Sequence, residues 1–302
     1  MELAARLAGP AGSAAESGRP APRGVLPPVL FGEEITVTST VTTSHLHDPP
    51  MNNMSPHHQA EHLFHGPFAE EYNFLSRICP AATDMSERVG QFVARWQPPG
   101  PPQTPLAVVE LGCGTGITTN FLLNGRPDLR ILAVDNEPAM LSQARKFLSE
   151  RVAEGRLTFQ ENDALGALQA LPDASVDVVA SAYTLHNFLL GYRHRVLEDI
   201  LRVLKPGGLF VNGDRYAMED PAAHLENTQN ELRGYFKVFL GEMKRPDLLE
   251  QWVIHYFGDE SEEHLMRLRP SLEEMAALGF ADLHVHFRDK VNTLINGVKP
   301  WR

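Results

Sequence analysis

The sequence predicts an α/β fold in which helices cover both faces of a mostly parallel sheet. After a Pro-rich break, "QPPGPPQTP", short apolar runs typical of buried strands alternate with segments of helical periodicity. A glycine-rich turn, "GCGTG", joins the first of these strands to the first helix. Only "RDKV" separates the last two strands, and a parallel crossover needs about a dozen residues or more. The sheet should therefore end with an antiparallel C-terminal strand.

Each element is predicted from its own stretch of sequence. Seven strands are expected, at "LAVVELG", "RILAVDN", "LTFQEND", "VDVVASAY", "LFVNGDRY", "ADLHVHF" and "NTLINGV". Helices are expected at "TTNFLLNGRP", "PAMLSQARKFLSERV", "RVLEDILRVLK" and "SLEEMAALG". Pro138 begins the second of these helices, at a position that favours proline. Residues 221–270 carry charged and aromatic residues at helical spacing, so we expect inserted helices that form a lid.

The chain ahead of the Pro-rich break divides in two by composition. Residues 1–28 are mainly Ala, Gly, Pro and Ser, and so few large apolar side chains cannot offset the entropy of ordering. With the Thr-rich "EITVTSTVTT" as an extended lead-in, we predict a mobile tail over 1–45. Helical spacing then predicts an N-terminal helical cap over 46–100. Residues 101–302 are predicted to form the main domain, with its helical insertion at about 221–270.

Composition and charge exclude several classes of function. Lys and Arg number 27 against 38 Asp and Glu, and the net charge of -11 disfavours duplex nucleic acid as a partner. No apolar run approaches the roughly 20 residues that span a bilayer, and no secretory signal is visible, so we expect a cytoplasmic protein without a membrane segment. The two cysteines predict no disulfide framework. His58 and His62, one helical turn apart, could share a metal, but a solvated or capping cluster is favoured and no metal is predicted.

The glycines at positions 112, 114 and 116 point to a ligand. A glycine turn between a strand and a helix lets the backbone approach a cofactor, and the helix N-terminus offers free N–H groups. The dinucleotide pattern G-x-G-x-x-G is not met, because Ile117 stands where its third glycine belongs, and no G-K-[ST] follows for a phosphate loop. Asp135 ends the next strand, where a carboxylate can bind both hydroxyls of a ribose. This spacing alone would also suit NAD.

The loop resembles the E/D-x-G-x-G-x-G motif of class I S-adenosylmethionine-dependent methyltransferases, which have a Rossmann-like fold. "QENDAL", "LKPGGLFV" and the two C-terminal strands extend the resemblance over roughly residues 67–298. It implies S-adenosylmethionine as cofactor, with Glu110 near its amino-acid end, Asp163 at its adenine amino group and the backbone N–H of Ala164 alongside. Tyr72 matches a tyrosine that this family often places over the cofactor, and helix packing is the alternative. The implied cofactor-binding residues are Tyr72, Glu110, Gly112, Cys113, Gly114, Gly116, Asp135, Asn136, Asp163, Ala164 and Tyr183. Cys113 is expected to fill space, because no base is visible to activate it.

Catalytic candidates follow the fourth and fifth strands, because ligands in open α/β sheets bind beyond the carboxyl ends of the strands. They are His186, Asp214 and Tyr216. His186 is the predicted general base, and capping of the following helix is the alternative. The residues predicted to contact the substrate are Arg215, Arg233, Tyr235, Trp252, His255 and Tyr256. An arginine could clamp a carboxylate or form a surface ion pair, and the lid aromatics could sandwich an acceptor or simply pack.

We therefore predict a methyltransferase that acts on a small, aromatic or carboxylate-bearing metabolite. One alternative is a carboxy-S-adenosylmethionine synthase, which "AVDNEPAMLSQAR" also resembles and which would need an arginine to hold the added carboxylate. Another is a non-catalytic scaffold that retains the cofactor site. The acceptor atom and the oligomeric state are left open by the sequence.

Overall fold

A seven-stranded sheet organises the chain, in a computed structural model that describes residues 78–99 and 104–301. The strands are β1 Leu106–Leu111, β2 Leu129–Asp135, β3 Leu157–Glu161, β4 Val176–Ala182, β5 Leu204–Arg215, β6 Ala281–Asp289 and β7 Asn292–Val298. Their spatial order is β3-β2-β1-β4-β5-β7-β6, and β7 runs in the opposite direction to the other six strands. The predicted fold class is confirmed, with its parallel sheet and antiparallel end.

Helices surround this sheet. They are α1 Pro80–Arg95, α2 Ile117–Gly125, α3 Pro138–Phe147, α4 Ser149–Ala153, α5 Ala164–Gln169, α6 Leu190–Val203, α7 Pro221–Phe236, α8 Pro246–Asp259 and α9 Leu268–Leu278. A 3-10 turn, Leu185–Asn187, follows β4, and a π-helical stretch, Lys237–Met243, continues α7. None of the described helices is long and apolar enough to cross a membrane.

Two boundaries differ from the sequence prediction. The helix predicted over "PAMLSQARKFLSERV" is divided at Leu148, whose backbone leaves the helical region, into α3 and α4. The "PGG" turn predicted ahead of the fifth strand lies inside β5, because Gly207 adopts φ +77° and lets the strand begin at Leu204.

The central strands are buried on both faces, which explains their continuous apolar sequences. Every residue of β4 is buried, and β1 has five buried positions and one half-buried position. The chain runs outward from β1 to β2 and β3, then returns to form β4 on the other side of β1. This reversal opens a crevice at the carboxyl ends of β1 and β4, where α/β folds bind ligands.

The insertion forms the predicted helical lid. Asp220 caps α7 by accepting the N–H of Ala222 at 2.8 Å. The lid has its own apolar cluster, which includes residues at the start of α1. Its members are Ala82, Tyr235, Phe239, Leu248, Leu249, Trp252 and Tyr256, with Ile78 and Cys79 packed against it.

The insertion leaves and rejoins the rest of the domain at one place. The N–H of Ala217, just after β5, donates to the carbonyl of Met266 at 2.7 Å. Ala217 also forms an isolated parallel bridge with Arg267, the residue before α9. The two ends of the lid segment are thus hydrogen-bonded to each other. The predicted domain limits at residues 45 and 100 stay predictions, and the mobile tail lies outside the described residues.

Helix α1 packs closely on α2 through glycine. A Cβ built on Gly90 would lie 2.6 Å from Cβ of Phe121 and 2.9 Å from its backbone carbonyl carbon. Backbone atoms cannot yield to such a contact without moving one helix. The absence of a side chain at this position therefore sets the distance between the two helices.

We expect Gly90→Ala to lower the free energy of unfolding by about 1–3 kcal/mol, the usual cost of overpacking, despite the better helix propensity of alanine. Gly234→Ala is the matched control, because no atom lies within 4 Å of the Cβ built on this residue in α7. The control should raise stability by up to about 1 kcal/mol. Urea unfolding measures both. Equal effects of the two substitutions would show that α1 and α2 do not depend on this contact.

Candidate active site

The glycine loop between β1 and α2 closes tightly around its neighbours. Gly112, Gly114 and Gly116 have φ angles of +65°, +52° and +90°, which glycine adopts at no steric cost. A Cβ on Gly112 would lie 2.2 Å from Oγ1 of Thr184. This position therefore accepts only glycine, and the loop backbone lies directly against the segment that follows β4.

Asp135 ends β2 beside the loop and holds it. Its Oδ2 accepts the N–H of Gly114 at 2.7 Å, and its Oδ1 accepts the N–H of Glu137 at 3.0 Å. Burial raises the pKa of Asp135 to about 6, although these N–H donors lower it. The side chain is therefore mostly ionised at neutral pH, and its oxygens retain lone pairs that can accept hydroxyl groups of a ligand.

A cavity of about 550 Å³, the cofactor cavity, opens next to the loop. Six predicted cofactor-binding residues line it: Gly112, Gly114, Asp135, Asn136, Ala164 and Tyr183. The lining residues that were not predicted are Val134, Glu137, Met140, Asn162, Thr184, Asn187 and Phe188. This described lining contains carboxylates but no lysine or arginine, so it suits a cationic or neutral ligand better than a phosphate.

Three other predicted cofactor-binding residues support the cavity from outside its lining. Gly116 is the N-cap residue of α2. Cys113 is buried among apolar side chains, and burial, with the charges of Asp135 and Glu110, raises the pKa of its thiol well above the usual range. Asp163 caps α5, where its Oδ1 accepts the N–H of Gly166 at 2.7 Å. Cys113 is thus an unreactive thiol, as expected of a space-filling side chain.

Some predicted residues precede the described part of the chain. Tyr72, His58 and His62 lie outside the described residues. Within residues 78–99 and 104–301, no group of three or more His, Cys, Asp or Glu side chains is placed to hold a metal ion.

Glu110 lies on β1 directly below the glycine loop and is fully buried. The net pKa of Glu110 is about 8. Burial raises it most, hydrogen bonding with Thr119 lowers it in part, and the charge of Asp135 raises it. The side chain therefore carries a proton over most of the neutral range. Cofactor binding by Glu110 stays a prediction, because its carboxyl group is outside the cavity lining.

His186 and Asp214 form a buried pair beyond the ends of β4 and β5. Nδ1 of His186 lies 2.5 Å from Oδ1 of Asp214, which also accepts the N–H of Arg215, while Oδ2 accepts that of Leu185. Burial opposes ionisation, but the charge and hydrogen bond of His186 and these N–H groups lower the pKa of Asp214. Asp214 is therefore ionised, and its Oδ1 accepts a hydrogen bond from Nδ1 of His186.

Tyr216, the third predicted catalytic residue, belongs to the apolar core. Its side chain is 2% exposed, and its hydroxyl accepts the side-chain amide of Asn212 at 3.0 Å. Burial, with the charge of Asp214, raises its pKa above the usual range. The tyrosine therefore remains neutral and packs beneath the site.

Arg215 is engaged by acidic side chains of the lid. Its two terminal nitrogens lie 3.2 and 3.0 Å from the carboxylate oxygens of Glu231, and one of them lies 3.4 Å from Glu260. The hydroxyl of Tyr256 donates to Glu231 at 2.6 Å, and His224 lies 2.7 Å from Glu260. Arg215 therefore forms an ion pair, as the alternative to substrate binding predicted, but this ion pair is buried and not on the surface.

The remaining candidates for substrate contact divide between the surface and the lid interior. Arg233 is exposed and bonds to Asn230 on its own helix. Tyr235 packs edge-on against Trp252 and Tyr256, with ring centroids 5.6 and 5.7 Å apart. These three aromatic side chains are at most 6% exposed, so their main contacts are with each other.

A second cavity, the lid cavity, lies between the end of β5 and the lid. Its polar lining is His186, Arg215, His224, Asp259 and Glu260. The wall between the two cavities is the segment after β4: Tyr183 and Asn187 line the cofactor cavity, and the ring of His186 lies 5.5 Å from that of Tyr183. Tyr183 has φ +54°, which is uncommon for a tyrosine and typical of functional segments.

Sequence reasoning missed four polar residues that meet at this site. They are His224, Glu231, Asp259 and Glu260. Their partners on β5 and after β4 are distant in the chain, and the only signal was the unusual density of charge in the inserted segment.

Comparison with known proteins assigns the domain. The family described as "Methyltransferase domain" matches residues 109–212, from β1 into β5. An O-methyltransferase family protein from Burkholderia thailandensis has the same fold, with a TM-score of 0.54 and 19% identity over 78% of this chain and 61% of that one. Residues 109–212 therefore belong to the methyltransferase domain family, and the chain has the fold of class I S-adenosylmethionine-dependent methyltransferases. Its cofactor is S-adenosylmethionine.

Two of the curated relatives of this methyltransferase are named for different reactions. A carboxy-S-adenosyl-L-methionine synthase from Klebsiella pneumoniae is 26% identical over 72% of this chain and 91% of its own length. A human thiol S-methyltransferase is 32% identical over 41% of this chain and 53% of its own length. The reactions that these two names describe are different.

We expect Asp135→Ala to weaken binding of S-adenosylhomocysteine to the methyltransferase by about 1.5–3 kcal/mol, the range for losing hydrogen bonds to a charged group. Glu161→Ala is the matched control, because Glu161 pairs in register with Asp135 on the neighbouring strand and is exposed. Calorimetry on both folded variants measures the difference. An unchanged dissociation constant for Asp135→Ala would remove this carboxylate from the cofactor site.

We expect Glu110→Gln to change how stability of the methyltransferase depends on pH. Between the ordinary pKa of 4.5 and the folded pKa of about 8, the unfolded chain releases the proton and the folded chain keeps it. The contribution of Glu110 to the stability of the wild type is therefore greatest below pH 4.5, falls as pH rises to 8, and is constant above. The glutamine has no such titration.

We therefore expect the melting temperature of Glu110→Gln, measured without cofactor from about pH 5 to pH 9, to rise relative to that of the wild type as pH increases. The exposed Glu161→Gln variant should follow the wild type throughout. Parallel curves for Glu110→Gln and the wild type would show that Glu110 titrates normally.

Proposed function

We propose that this protein transfers the methyl group of S-adenosylmethionine to a small molecule that binds beneath the lid. The observation that carries the proposal is the His186–Asp214 pair, which stands on the wall between the cofactor cavity and the lid cavity. An ionised Asp214 fixes the imidazole with its proton on Nδ1. Nε2 of His186 then points to the lid cavity as a proton acceptor.

The cofactor cavity fits S-adenosylmethionine in its chemistry. Asp135 presents a carboxylate to ribose hydroxyls, and the acidic lining favours a cationic ligand. When bound, the cofactor supplies a methyl group on a positively charged sulfur. The chain would hold it through the glycine loop, Asp135, Asn136 and the segment around Ala164.

The chain's own contribution would be to orient the acceptor, exclude water and remove a proton. The buried aromatic cluster closes the lid over the ends of β4 and β5. His186 would take the acceptor's proton at Nε2, and Asp214 would stabilise the resulting imidazolium. Of the two substrate chemistries considered, the carboxylate is disfavoured, because Glu231 and Glu260 already engage Arg215.

A second candidate function is synthesis of carboxy-S-adenosylmethionine. The relatives with this name align over 91% and 94% of their own lengths. The reaction adds a carboxylate to the cofactor, which calls for a cationic partner. The described lining of the cofactor cavity offers none. This observation favours methyl transfer.

One experiment separates the two. The protein is incubated with methyl-labelled S-adenosylmethionine and a small-molecule extract, and both the products and the cofactor are analysed by mass spectrometry. We expect labelled small molecule together with S-adenosylhomocysteine. Formation of a carboxylated cofactor without labelled product would overturn methyl transfer in favour of the second candidate.

His186→Gln should lower the rate of this labelling about 10²–10⁴-fold while the affinity for S-adenosylhomocysteine changes only a few-fold, because the imidazole acts on the proton and not on the cofactor. His284→Gln, on the exposed face of β6, is the matched control and should behave as the wild type. If His186 only positions the acceptor, KM rises and kcat is preserved. Wild-type kinetics for His186→Gln would exclude it from the site.

A further inference from the structure

The charges around the lid cavity do not balance. Four carboxylates, of Asp214, Glu231, Asp259 and Glu260, meet the guanidinium of Arg215. A second guanidinium, that of Arg193, interacts with Asp214, and its hydrogen bonds go to backbone carbonyls. Burial lowers the pKa of His255 and of His264, so both are neutral at pH 7. The cavity therefore has a negative potential.

Most of these acidic groups are satisfied within the protein. Asp214 accepts Nδ1 of His186 and two backbone N–H groups. Glu231 accepts hydrogen bonds from both terminal nitrogens of Arg215 and from the hydroxyl of Tyr256. One oxygen of Glu260 faces Arg215 and the other faces His224. These contacts form a closed network that requires no ligand.

Asp259 is the exception. It ends α8 and is 7% exposed. Its Oδ2 lies 3.4 Å from Nε2 of His255 and 3.8 Å from Nε2 of His186. Its Oδ1 is buried and has no hydrogen-bond partner among the residues that the structure describes. A buried carboxylate oxygen without a donor lowers stability.

His186 presents a second acceptor to the same point. In its proposed role as a base, His186 donates the hydrogen on Nδ1 to Asp214, and its Nε2 offers a lone pair on the side of Asp259. The separation of 3.8 Å exceeds a direct hydrogen bond. Two acceptors that face one cavity are satisfied together by a ligand group with at least two hydrogens to donate. A hydroxyl group has one, a carboxylate has none and would be repelled, and an ammonium group has two or three.

We propose that the lid cavity binds the ammonium group of the methyl acceptor, with Asp259 as its anionic partner and Nε2 of His186 as a second hydrogen-bond acceptor. The inference rests on the proposed function, because it assigns a chemical class to the acceptor. It makes Asp259 a specificity-determining residue: an amine is selected by a charged partner that an alcohol or a carboxylic acid cannot use.

Binding of simple probes tests the subsite without knowledge of the natural acceptor. Benzylammonium and benzyl alcohol have the same apolar body, and each is titrated calorimetrically into the protein saturated with S-adenosylhomocysteine. We expect the wild type to bind benzylammonium at least about tenfold more tightly than the alcohol, as a charge-assisted hydrogen bond provides. In Asp259→Asn this preference should disappear. Equal affinities in the wild type, or no binding of the amine at millimolar concentration, would overturn the proposal.

Two controls separate binding from a structural role. Glu250→Gln removes the same charge from an exposed position of α8 and should keep the preference for the amine. Without ligand, the melting temperature of Asp259→Asn should equal or exceed that of the wild type, because an unpaired buried charge is removed. A lower melting temperature with an unchanged amine preference would identify Asp259 as structural. If the asparagine variant does not fold, Asp259→Ser is subjected to the same comparison.

The outcome is distinguishable from a failure of the proposed function. Labelled methyl transfer to a molecule that has no amine would keep the methyltransferase activity and overturn the ammonium subsite. Selective binding of benzylammonium through Asp259, with no methyl transfer to any small molecule, would keep the subsite and overturn the activity.

Discussion

The site depends on one buried carboxylate, that of Asp214. It lies near the end of β5, yet it accepts hydrogen bonds from Leu185 and His186 in the segment after β4. An ionised group with no access to water must be satisfied by donors from the protein, so this carboxylate fixes the course of the segment. The same segment supplies Tyr183 and Asn187 to the cofactor cavity. The cofactor cavity and the His186–Asp214 pair therefore have a common support.

The register of the sheet makes this arrangement possible. Ala182 at the end of β4 pairs with Gly213 on β5, and the N–H of Tyr183 continues the ladder to the carbonyl of Gly213 at 2.9 Å. The chain then turns through a residue with a positive φ angle and places His186 beside Asp214. A one-residue shift in register would put Asp214 on the opposite face, because side chains alternate along a strand.

Local features of this molecule were predictable from sequence and long-range ones were not. The glycine loop, the acid at Asp135 and the strand pattern are encoded over about 30 residues, and the structure brings the loop and Asp135 to one cavity as expected of their spacing. The partners of Arg215 lie 16 and 45 residues away, on lid helices whose orientation no periodicity specifies. Asp259 could not be singled out, because an unpaired buried oxygen is a property of packing and not of residue type.

The joined ends of the lid bear on how enzymes of this kind diversify. Since Ala217 and Met266 are hydrogen-bonded to each other, the chain enters and leaves the inserted segment at one place. Segments of other lengths can be accommodated at such a junction without moving a strand, because the entropy of closing a loop rises slowly with its length. The side chains of the insertion are less independent, because its acidic groups pair with Arg215 on β5 and lie near His186 after β4. Grafting the insertion between relatives would therefore also require these two partners to be transferred.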